Sequence, residues 1–343
     1  MKKKTIGVAV IGAGRAGMIH ACNYARGIAG ARLVAVVDPV AEVAKAAAEE
    51  LNITKYYLSY QDAINDDEVD AIVVVTPTKY HCEIVCLAAQ AGKHIFCEKP
   101  MAMSEAECAE MLAITQQHGV LLQLGFMRRF DRNFMEAKAA IDAGAIGDVV
   151  LVKALTHGPS VPKEWMYDIS ISGGPLAEVS SHDIDAVRWF SGADFQEVYA
   201  LSGNYRCPQA REKFPDYYDT VTLSGRMTNG TQCIVEGAVS VGYGYDSRVE
   251  ILGTKGILFV GDLQENSTRY ANSEQKQLIT KTVGSWQTLF TKAYETEALA
   301  FIDSISTHSP VKASGYDGLQ AVKVVNAGNL SIVENRIVKL DEI

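Results

Sequence analysis

Two residues of the 343-residue chain, Lys99 and His182, have side chains suited to moving a proton at an alcohol. Lys99 ends the stretch His94–Lys99 and precedes Pro100, which lacks an amide hydrogen and disfavours helix at the residue before it. The pattern predicts a short buried strand that ends at Lys99. Open α/β sheets bind ligands at the carboxyl ends of their parallel strands. An isolated Lys-Pro pair is more often part of a surface loop, so the functional interpretation depends on the rest of the chain.

His182 is the candidate general base, because an imidazole titrates near neutral pH. It follows the turn Gly173-Gly174-Pro175 at the start of a predicted helix. Glu178 precedes it by four residues, which on a helix puts the two side chains on one face. Glu178 is therefore a third candidate catalytic residue, which would contact substrate or orient His182. The alternatives are a structural histidine near a helix start and a first-turn acid that interacts with the helix dipole.

A glycine motif that could hold a dinucleotide lies near the amino terminus. The apolar run Thr5–Ile11 leads into Gly12-Ala13-Gly14-Arg15-Ala16-Gly17, and a helical pattern follows. Gly12 permits the tight turn, Gly14 lets a pyrophosphate approach the backbone, and Gly17 allows close packing of helix on strand. The amino end of the helix would face the phosphates, with Arg15 and Ala16 between the glycines.

Asp38 is the predicted ribose-binding acid, since it ends the second strand and lies 21 positions after Gly17. Its carboxylate can accept from both ribose hydroxyls and would repel a 2′-phosphate, so NAD is favoured over NADP. The alternative role is an N-cap for the helix Val40–Leu51. Thr76 and Pro77 end a further buried strand, Ala71–Val75, and should border the cofactor, as should Glu98 and Lys99.

Strands and helices alternate over residues 1–125, which predicts an α/β fold with a doubly wound parallel sheet, the Rossmann arrangement. Beyond the loop Gly158–Pro175 and Phe195, several strands follow without intervening helices, so residues 126–343 are predicted to form an α+β domain with a large, mostly antiparallel open sheet. Predicted helices at Ser285–Ser306 and Tyr316–Asn335 are expected to pack back on the first domain.

Composition excludes several classes of protein. The net charge of −9 argues against nucleic acid or an anionic membrane as partner, and 48% hydrophobic residues suffice for a sizeable core. No apolar run approaches the length of a membrane span, and the basic amino terminus lacks the features of a signal peptide, so a cytoplasmic protein is expected. Seven scattered cysteines suggest reduced thiols. Cys82 and Cys86 lie near His81, but their helix looks core-packed, and no metal is predicted.

Several motifs together resemble the Gfo/Idh/MocA oxidoreductase family, the glucose–fructose oxidoreductase and inositol dehydrogenase type. They are the glycine motif, Cys97–Pro100, Gly125–Asp131, Ser181–Asp185, Tyr243–Asp246, Val249–Gly256 and the carboxy-terminal helix from Ser285–Gln287 through Phe301–Ile305. Their similarity spans nearly the whole chain, and Gly125–Asp131 with Tyr243–Asp246 looks closest to myo-inositol 2-dehydrogenases. That branch usually has an aspartate where this chain has Glu178, so the chain departs from the inositol pattern at this position.

The resemblance implies NAD-dependent oxidation of a secondary hydroxyl of a cyclitol or pyranose to the ketone. His182 would be the base, and Lys99 would bind the reacting hydroxyl. It also implies a homodimer or homotetramer that assembles through the open face of the second sheet. Tyr243 competes with Tyr245 for a place in the substrate pocket, Arg128 could instead form an ion pair, and Trp165 could instead anchor its loop. The substrate-binding candidates are Lys99, Met127, Arg128, His157, Trp165, Glu178, His182 and Tyr245.

Two other functions fit the same motifs. A reductase of a keto-sugar or dihydrodiol-type substrate would use the same residues in the opposite direction. A non-catalytic regulator that senses a dinucleotide would have no need for both Lys99 and His182, and their presence argues against it.

Overall fold

The computed structural model describes residues 5–274 and 276–343, which divide into two compact units. One unit runs to Asp131 and also includes Lys292–Val322; the other comprises Arg132–Thr291 and Lys323–Ile343. No helix in these described ranges combines the length and the apolarity needed to span a membrane.

The first unit is built on a six-stranded sheet in which every strand pair is parallel. The sheet order is β3-β2-β1-β4-β5-β6, so the direction of winding reverses between β1 and β4, where doubly wound folds bind their ligands. The strands are β1 (Ile6–Ile11), β2 (Ala31–Val37), β3 (Lys55–Tyr57), β4 (Ala71–Val74), β5 (His94–Cys97) and β6 (Leu122–Leu124). The helices are α1 (Arg15–Gly27), α2 (Ala41–Glu50), α3 (Tyr60–Ile64), α4 (His81–Gln90) and α5 (Glu105–Gln117).

The second unit is built on a seven-stranded sheet of order β12-β11-β7-β10-β9-β8-β15. Five of its six strand pairs are antiparallel, and β10 runs parallel to β7. Its main strands are β7 (Val149–His157), β8 (Phe195–Gly203), β9 (Thr220–Met227), β10 (Gln232–Ala238), β11 (Asp246–Gly253) and β12 (Ile257–Val260). A separate hairpin joins β13 (Gln264–Asn272) to β14 (Gln277–Thr282), and β15 is Val338–Lys339. The helices up to the hairpin are α6 (Arg132–Asp142), α7 (Ile169–Ser172), α8 (Gly174–Glu178) and α9 (Ser181–Ser191).

Three helices follow the hairpin: α10 (Trp286–Leu289), α11 (Thr291–Thr307) and α12 (Gly315–Glu334). Phe301, Ile302 and Ile305 of α11 are buried in the same apolar cluster as Val8 and Val10 of β1. Helix α11 therefore shares one apolar core with the parallel sheet of the first unit.

The predicted parallel Rossmann sheet and the mostly antiparallel second sheet are both confirmed. Several details differ. The helix predicted over Ser285–Ser306 is two helices, α10 and α11, that meet at Phe290. The sequence pattern also missed β3 and the β13–β14 hairpin, whose strands are short or largely exposed and polar and so carry little apolar signal.

Glu178 and His182 do not share a helix, contrary to the prediction from their spacing. Helix α8 ends at Glu178 and α9 begins at Ser181, so the backbone turns between the two residues. Helix α8 opens with Gly173 and Gly174 in left-handed conformation, at φ 70° and 68°, and it is only five residues long. The four-residue spacing therefore does not put the two side chains on one helical face.

Candidate active site

The glycine loop of the first unit has the geometry that a dinucleotide requires. Gly12 has φ 101°, and a Cβ there would lie 2.5 Å from the Val75 carbonyl oxygen. A Cβ at Gly17 would lie 1.8 Å from the carbonyl oxygen of Gly12, so only glycine permits this contact between helix and loop. A Cβ at Gly14, in contrast, would meet no atom within 4 Å, and Gly14 caps the amino end of α1. Open space at a helix amino end suits a pyrophosphate.

Asp38 links the end of β2 to the glycine loop. Its Oδ2 accepts the Ala13 N–H at 3.2 Å, and its Oδ1 accepts the Val40 N–H at 3.0 Å. These two bonds fix the plane of the carboxylate beside the loop, and each oxygen keeps a lone pair that a ribose hydroxyl could reach. Asp38 is not the N-cap of α2, which was its alternative role, because Val40 occupies that position.

The turn after β4 also suits a polar ligand. Within the described residues, the Thr76 hydroxyl is buried and has no hydrogen-bond partner, which is unusual for a buried polar atom. Next to it, His81 bridges two backbone carbonyls, with Nε2 2.8 Å from the Thr76 oxygen and Nδ1 2.9 Å from the Pro100 oxygen. Burial lowers the pKa of His81 below its usual value, although both carbonyls act in the opposite direction. Together with the glycine loop and Asp38, this turn fits a bound NAD.

Three buried residues, Ile95–Cys97, end β5, and the buried Glu98 separates them from Lys99. The Lys99 N–H donates to Oε2 of Glu98 at 3.1 Å, and Oε1 of the same carboxylate lies 2.9 Å from Nε2 of His20. The peptide bond between Lys99 and Pro100 is cis. Lys99 thus directly follows a run of buried residues, Ile95–Glu98.

Met127 and Arg128 form part of a short 3₁₀ helix that follows β6, at the same sheet edge as Lys99. Both side chains are only 2% exposed. Their neighbour Arg129 pairs with Asp317 at 2.9 Å and donates to the Lys312 carbonyl. Arg129 therefore has a structural role in this edge, while the two predicted substrate residues lie beside it.

In the second unit, His182 is 8% exposed at the start of α9, which packs on β7 and β10. The residues on both sides, Ser181 and Asp183, are buried as well. Gly237 of β10 makes room for this turn, because a Cβ there would lie 2.2 Å from the Ser180 hydroxyl. Ser180 and Ser181 have buried hydroxyls without a hydrogen-bond partner among the described residues, so His182 lies in a polar environment suited to a hydroxylated ligand.

His157 belongs to a polar cluster at the end of β7, which we call the His157 cluster: His157, Tyr243, Asp246 and Arg248. The Tyr243 hydroxyl lies 2.5 Å from Nδ1 of His157 and 3.5 Å from Asp246, and Arg248 donates to both Asp246 oxygens at 2.7 and 2.9 Å. Sheet pairing creates the cluster, because Asp246 of β11 lies opposite His157 of β7. Burial lowers the pKa of His157, although the charges of Asp246, Glu236 and Asp183 act in the opposite direction.

Two further predicted substrate residues, Tyr245 and Trp165, do not belong to the His157 cluster. The Tyr245 side chain is 6% exposed and packs edge-on against Phe290, whereas Tyr243 joins the His157 cluster. Trp165 is 45% exposed on a 3₁₀ turn. The neighbouring Tyr167 packs on Tyr217 and so joins the loop around Trp165 to the segment after β8.

Sequence reasoning missed three residues: His20, His81 and Tyr243 as the partner of His157. For His20, the only signal in the sequence was its position three residues after Gly17. Both ring nitrogens of His81 face carbonyls, so it does not join the neighbouring thiols. Cys82 and Cys86 instead group with Glu110, with ligand atoms within 4.8 Å of one another, and burial raises the pKa of both thiols. The absence of a metal stays a prediction.

Comparison with known proteins covers both units. Residues 6–126 match a model described as an oxidoreductase family with an NAD-binding Rossmann fold, and residues 138–340 match the α/β carboxy-terminal domain of the same Gfo/Idh/MocA family. Myo-inositol 2-dehydrogenase of Thermotoga maritima is 33% identical over 98% of this chain and 99% of its own. An uncharacterised oxidoreductase of Bacillus subtilis, YrbE, is 34% identical over 96% of this chain and 95% of its own.

Solved structures agree. Scyllo-inositol dehydrogenase of Lactobacillus casei, with bound NAD(H) and scyllo-inositol, superposes with a TM-score of 0.92 at 31% identity, over 98% of this chain and 100% of that one. The resemblance predicted from the motifs is confirmed. The chain is an oxidoreductase of the Gfo/Idh/MocA family, with an NAD-binding Rossmann domain.

Proposed function

We propose that the protein oxidises a secondary hydroxyl of an inositol-type cyclitol to the ketone, with NAD+ as the hydride acceptor. The observation that carries this proposal is the full-length similarity, over both units, to dehydrogenases named for inositols. The first unit would hold the cofactor and the second would bind most of the polyol.

The first unit binds and orients the cofactor. The amino end of α1 and the open space at Gly14 would hold the pyrophosphate of the dinucleotide. Asp38 and Thr76 would bind its hydroxyls or neighbouring polar groups. When bound, NAD+ supplies the acceptor for the hydride that leaves the carbinol carbon. Asp38 opposes a 2′-phosphate by charge, so the unphosphorylated dinucleotide is preferred.

Two side chains handle the proton and the oxygen in the proposed reaction. Lys99, at the end of β5, donates a hydrogen bond to the reacting hydroxyl and stabilises negative charge that develops on it. His182 takes the hydroxyl proton as general base. Glu178 and the His157 cluster contact the remaining hydroxyls, because carboxylate, phenol and imidazole groups can both orient and discriminate a ring of hydroxyls.

A panel assay tests this function. The purified protein, NAD+ and a set of inositol isomers and pyranoses are followed by NADH absorbance. We expect turnover on at least one inositol, a loss of about 10²–10⁴-fold in kcat for His182→Ala or Lys99→Ala, and no change for the exposed-residue controls His118→Ala and Lys45→Ala. Cofactor binding without NADH formation on any polyol would refute the proposal.

The same variants separate an enzyme from a dinucleotide sensor. Lys99→Ala should keep binding NAD while turnover collapses. A sensor would keep its NAD-dependent change in thermal stability and have no turnover to lose. If Lys99→Ala behaved like the wild type in every assay, the catalytic assignment would be wrong even for an active enzyme.

We also propose that two or four chains assemble through the open face of the second sheet. Cross-strand register puts Phe259 and Ile257 of β12, Leu252 of β11 and Leu201 of β8 on one face, and Phe259 is 70% exposed. Exposed apolar side chains on one sheet face are typical of an interaction surface. Light scattering should give a dimer or tetramer for the wild type and a smaller species for Phe259→Glu; an unchanged mass would refute the assignment of this face.

A further inference from the structure

We propose that His20 and Glu98 form a positioning pair for Lys99, which joins the dinucleotide-binding helix to the catalytic strand end. The inference rests on the proposed function, in which Lys99 contacts the reacting oxygen. Neither His20 nor Glu98 is assigned to the chemistry itself; each is argued to act through the backbone of Lys99.

The Glu98 carboxylate is held at both oxygens. Oε1 lies 2.9 Å from Nε2 of His20, and Oε2 accepts the N–H of Lys99 at 3.1 Å. The two residues are nearly enclosed, with His20 2% and Glu98 8% exposed. A buried carboxylate that accepts two hydrogen bonds is costly to move, since either bond would be lost without water to replace it. The Lys99 amide is therefore fixed at one position.

The surroundings leave space for a carboxylate at this point. Gly125, directly after β6, faces Glu98, and a Cβ there would lie 2.7 Å from Oε2 and 2.8 Å from Cδ. The N–H of Gly125 donates to the Cys97 carbonyl at 2.9 Å, which fixes the glycine against the strand end. The carboxylate can occupy this place only because residue 125 has no side chain.

Packing fixes the other end of the pair. The His20 ring lies 4.9 Å from the Phe96 ring and 5.4 Å, edge-on, from the Tyr294 ring, measured between centroids. His20 is also one helical turn beyond Gly17, the glycine that sets α1 against the phosphate-binding loop. A displacement of α1 is therefore transmitted through His20 and Glu98 to the amide of Lys99.

His20→Phe is the sharpest perturbation, since it keeps an aromatic ring between Phe96 and Tyr294 and removes only the contact to Glu98. The matched control is Tyr24→Phe, which removes a polar atom from another buried aromatic side chain of α1. We expect kcat to fall by about 10-fold or more for His20→Phe, the NAD dissociation constant to change less than about threefold, and Tyr24→Phe to behave like the wild type.

A double-mutant cycle distinguishes positioning from simple damage to the fold. If His20 acts through Lys99, His20→Phe should cost little further activity in a Lys99→Ala background. Multiplicative losses in the double variant would overturn the inference, because they would show that His20 acts independently of Lys99.

Backbone hydrogen exchange tests the pair without turnover. The Lys99 amide should exchange about 10-fold faster in His20→Phe and in Glu98→Ala than in the wild type, and Tyr24→Phe should leave it unchanged. Unchanged exchange in both variants would overturn the inference. A wild type that forms no NADH on any polyol but shows this exchange pattern would refute the proposed function and leave the positioning pair supported.

Discussion

Replacement of Asp38 by asparagine should weaken NAD binding and, to a smaller extent, the fold. The two carboxylate oxygens accept N–H groups from Ala13 and Val40, at 3.2 and 3.0 Å. An amide side chain has one acceptor oxygen, so Asp38→Asn turns an NH2 group toward one of these donors or toward the ribose. A hydrogen bond to a charged group contributes about 1.5–3 kcal/mol. The loss of one such bond to ribose corresponds to a dissociation constant raised about 10- to 100-fold.

The effect on the free protein should be smaller. Both bonds of Asp38 lie in partly exposed loops, so we expect a loss of about 1–2 kcal/mol in the free energy of unfolding, measured by urea titration without cofactor. Affinities for NAD+ and NADP+ are measured by calorimetry, with Glu42→Gln in α2 as the control. Since the variant no longer repels a 2′-phosphate, the preference for NAD+ over NADP+ should narrow by at least about 10-fold. An unchanged NAD+ affinity, or equal weakening of both cofactors, would refute the role of Asp38.

Three further perturbations follow from the geometry. Gly17→Ala places a Cβ 1.8 Å from a backbone carbonyl oxygen and should abolish NAD binding and lower the melting temperature. At Gly14 a Cβ meets no protein atom within 4 Å, so Gly14→Ala should weaken NAD binding and leave the melting temperature unchanged. Equal melting temperatures for the two variants would contradict this account. Burial lowers the pKa of His81 below 6.5, so the unfolded chain binds more protons than the native one once the pH falls through 6.5. The free energy of unfolding should therefore be full above that pH and decline below it by up to about 1.4 kcal/mol per pH unit. Urea titrations from pH 7.5 to 5.5 should show a shallower decline for His81→Gln but not for the control His118→Gln. Tyr243→Phe removes the hydroxyl 2.5 Å from His157 and should raise the polyol KM about 10-fold with the NAD+ KM unchanged. The control Tyr270→Phe, in the exposed hairpin, should alter neither KM. A wild-type polyol KM for Tyr243→Phe would show that the His157 cluster does not bind the substrate.

Local patterns in the sequence were sufficient to predict the glycine loop, Asp38 and the strand before Lys99 in the first unit. The glycine motif, Asp38 and the strand that leads to Lys99 each depend on a few neighbouring residues, and the structure has the predicted strand, turn and helix at each of them. The sequence signal is strong here because a tight turn, a close approach and a buried strand restrict the residue types that fit.

Contacts between distant residues could not be predicted in the same way. His20 and Glu98 are 78 positions apart, and the opposition of His157 and Asp246 depends on the register of two strands in a sheet. The break between Glu178 and His182 also escaped prediction, because Val179 keeps a nearly helical backbone, at φ −112° and ψ −56°, while the chain turns. Spacing along one chain segment does not report such tertiary effects.

The most direct test of the central claim follows the hydrogen that leaves the substrate. An inositol that the wild type accepts is prepared with deuterium on its carbinol carbons and incubated with NAD+, and the reduced nicotinamide is analysed by mass spectrometry. Direct hydride transfer predicts one deuterium in each reduced cofactor and a lower kcat/KM than with the unlabelled polyol. His182→Ala should form labelled cofactor only at its low residual rate. Reduced cofactor without deuterium, or label transfer at the wild-type rate by His182→Ala, would contradict the proposed reaction.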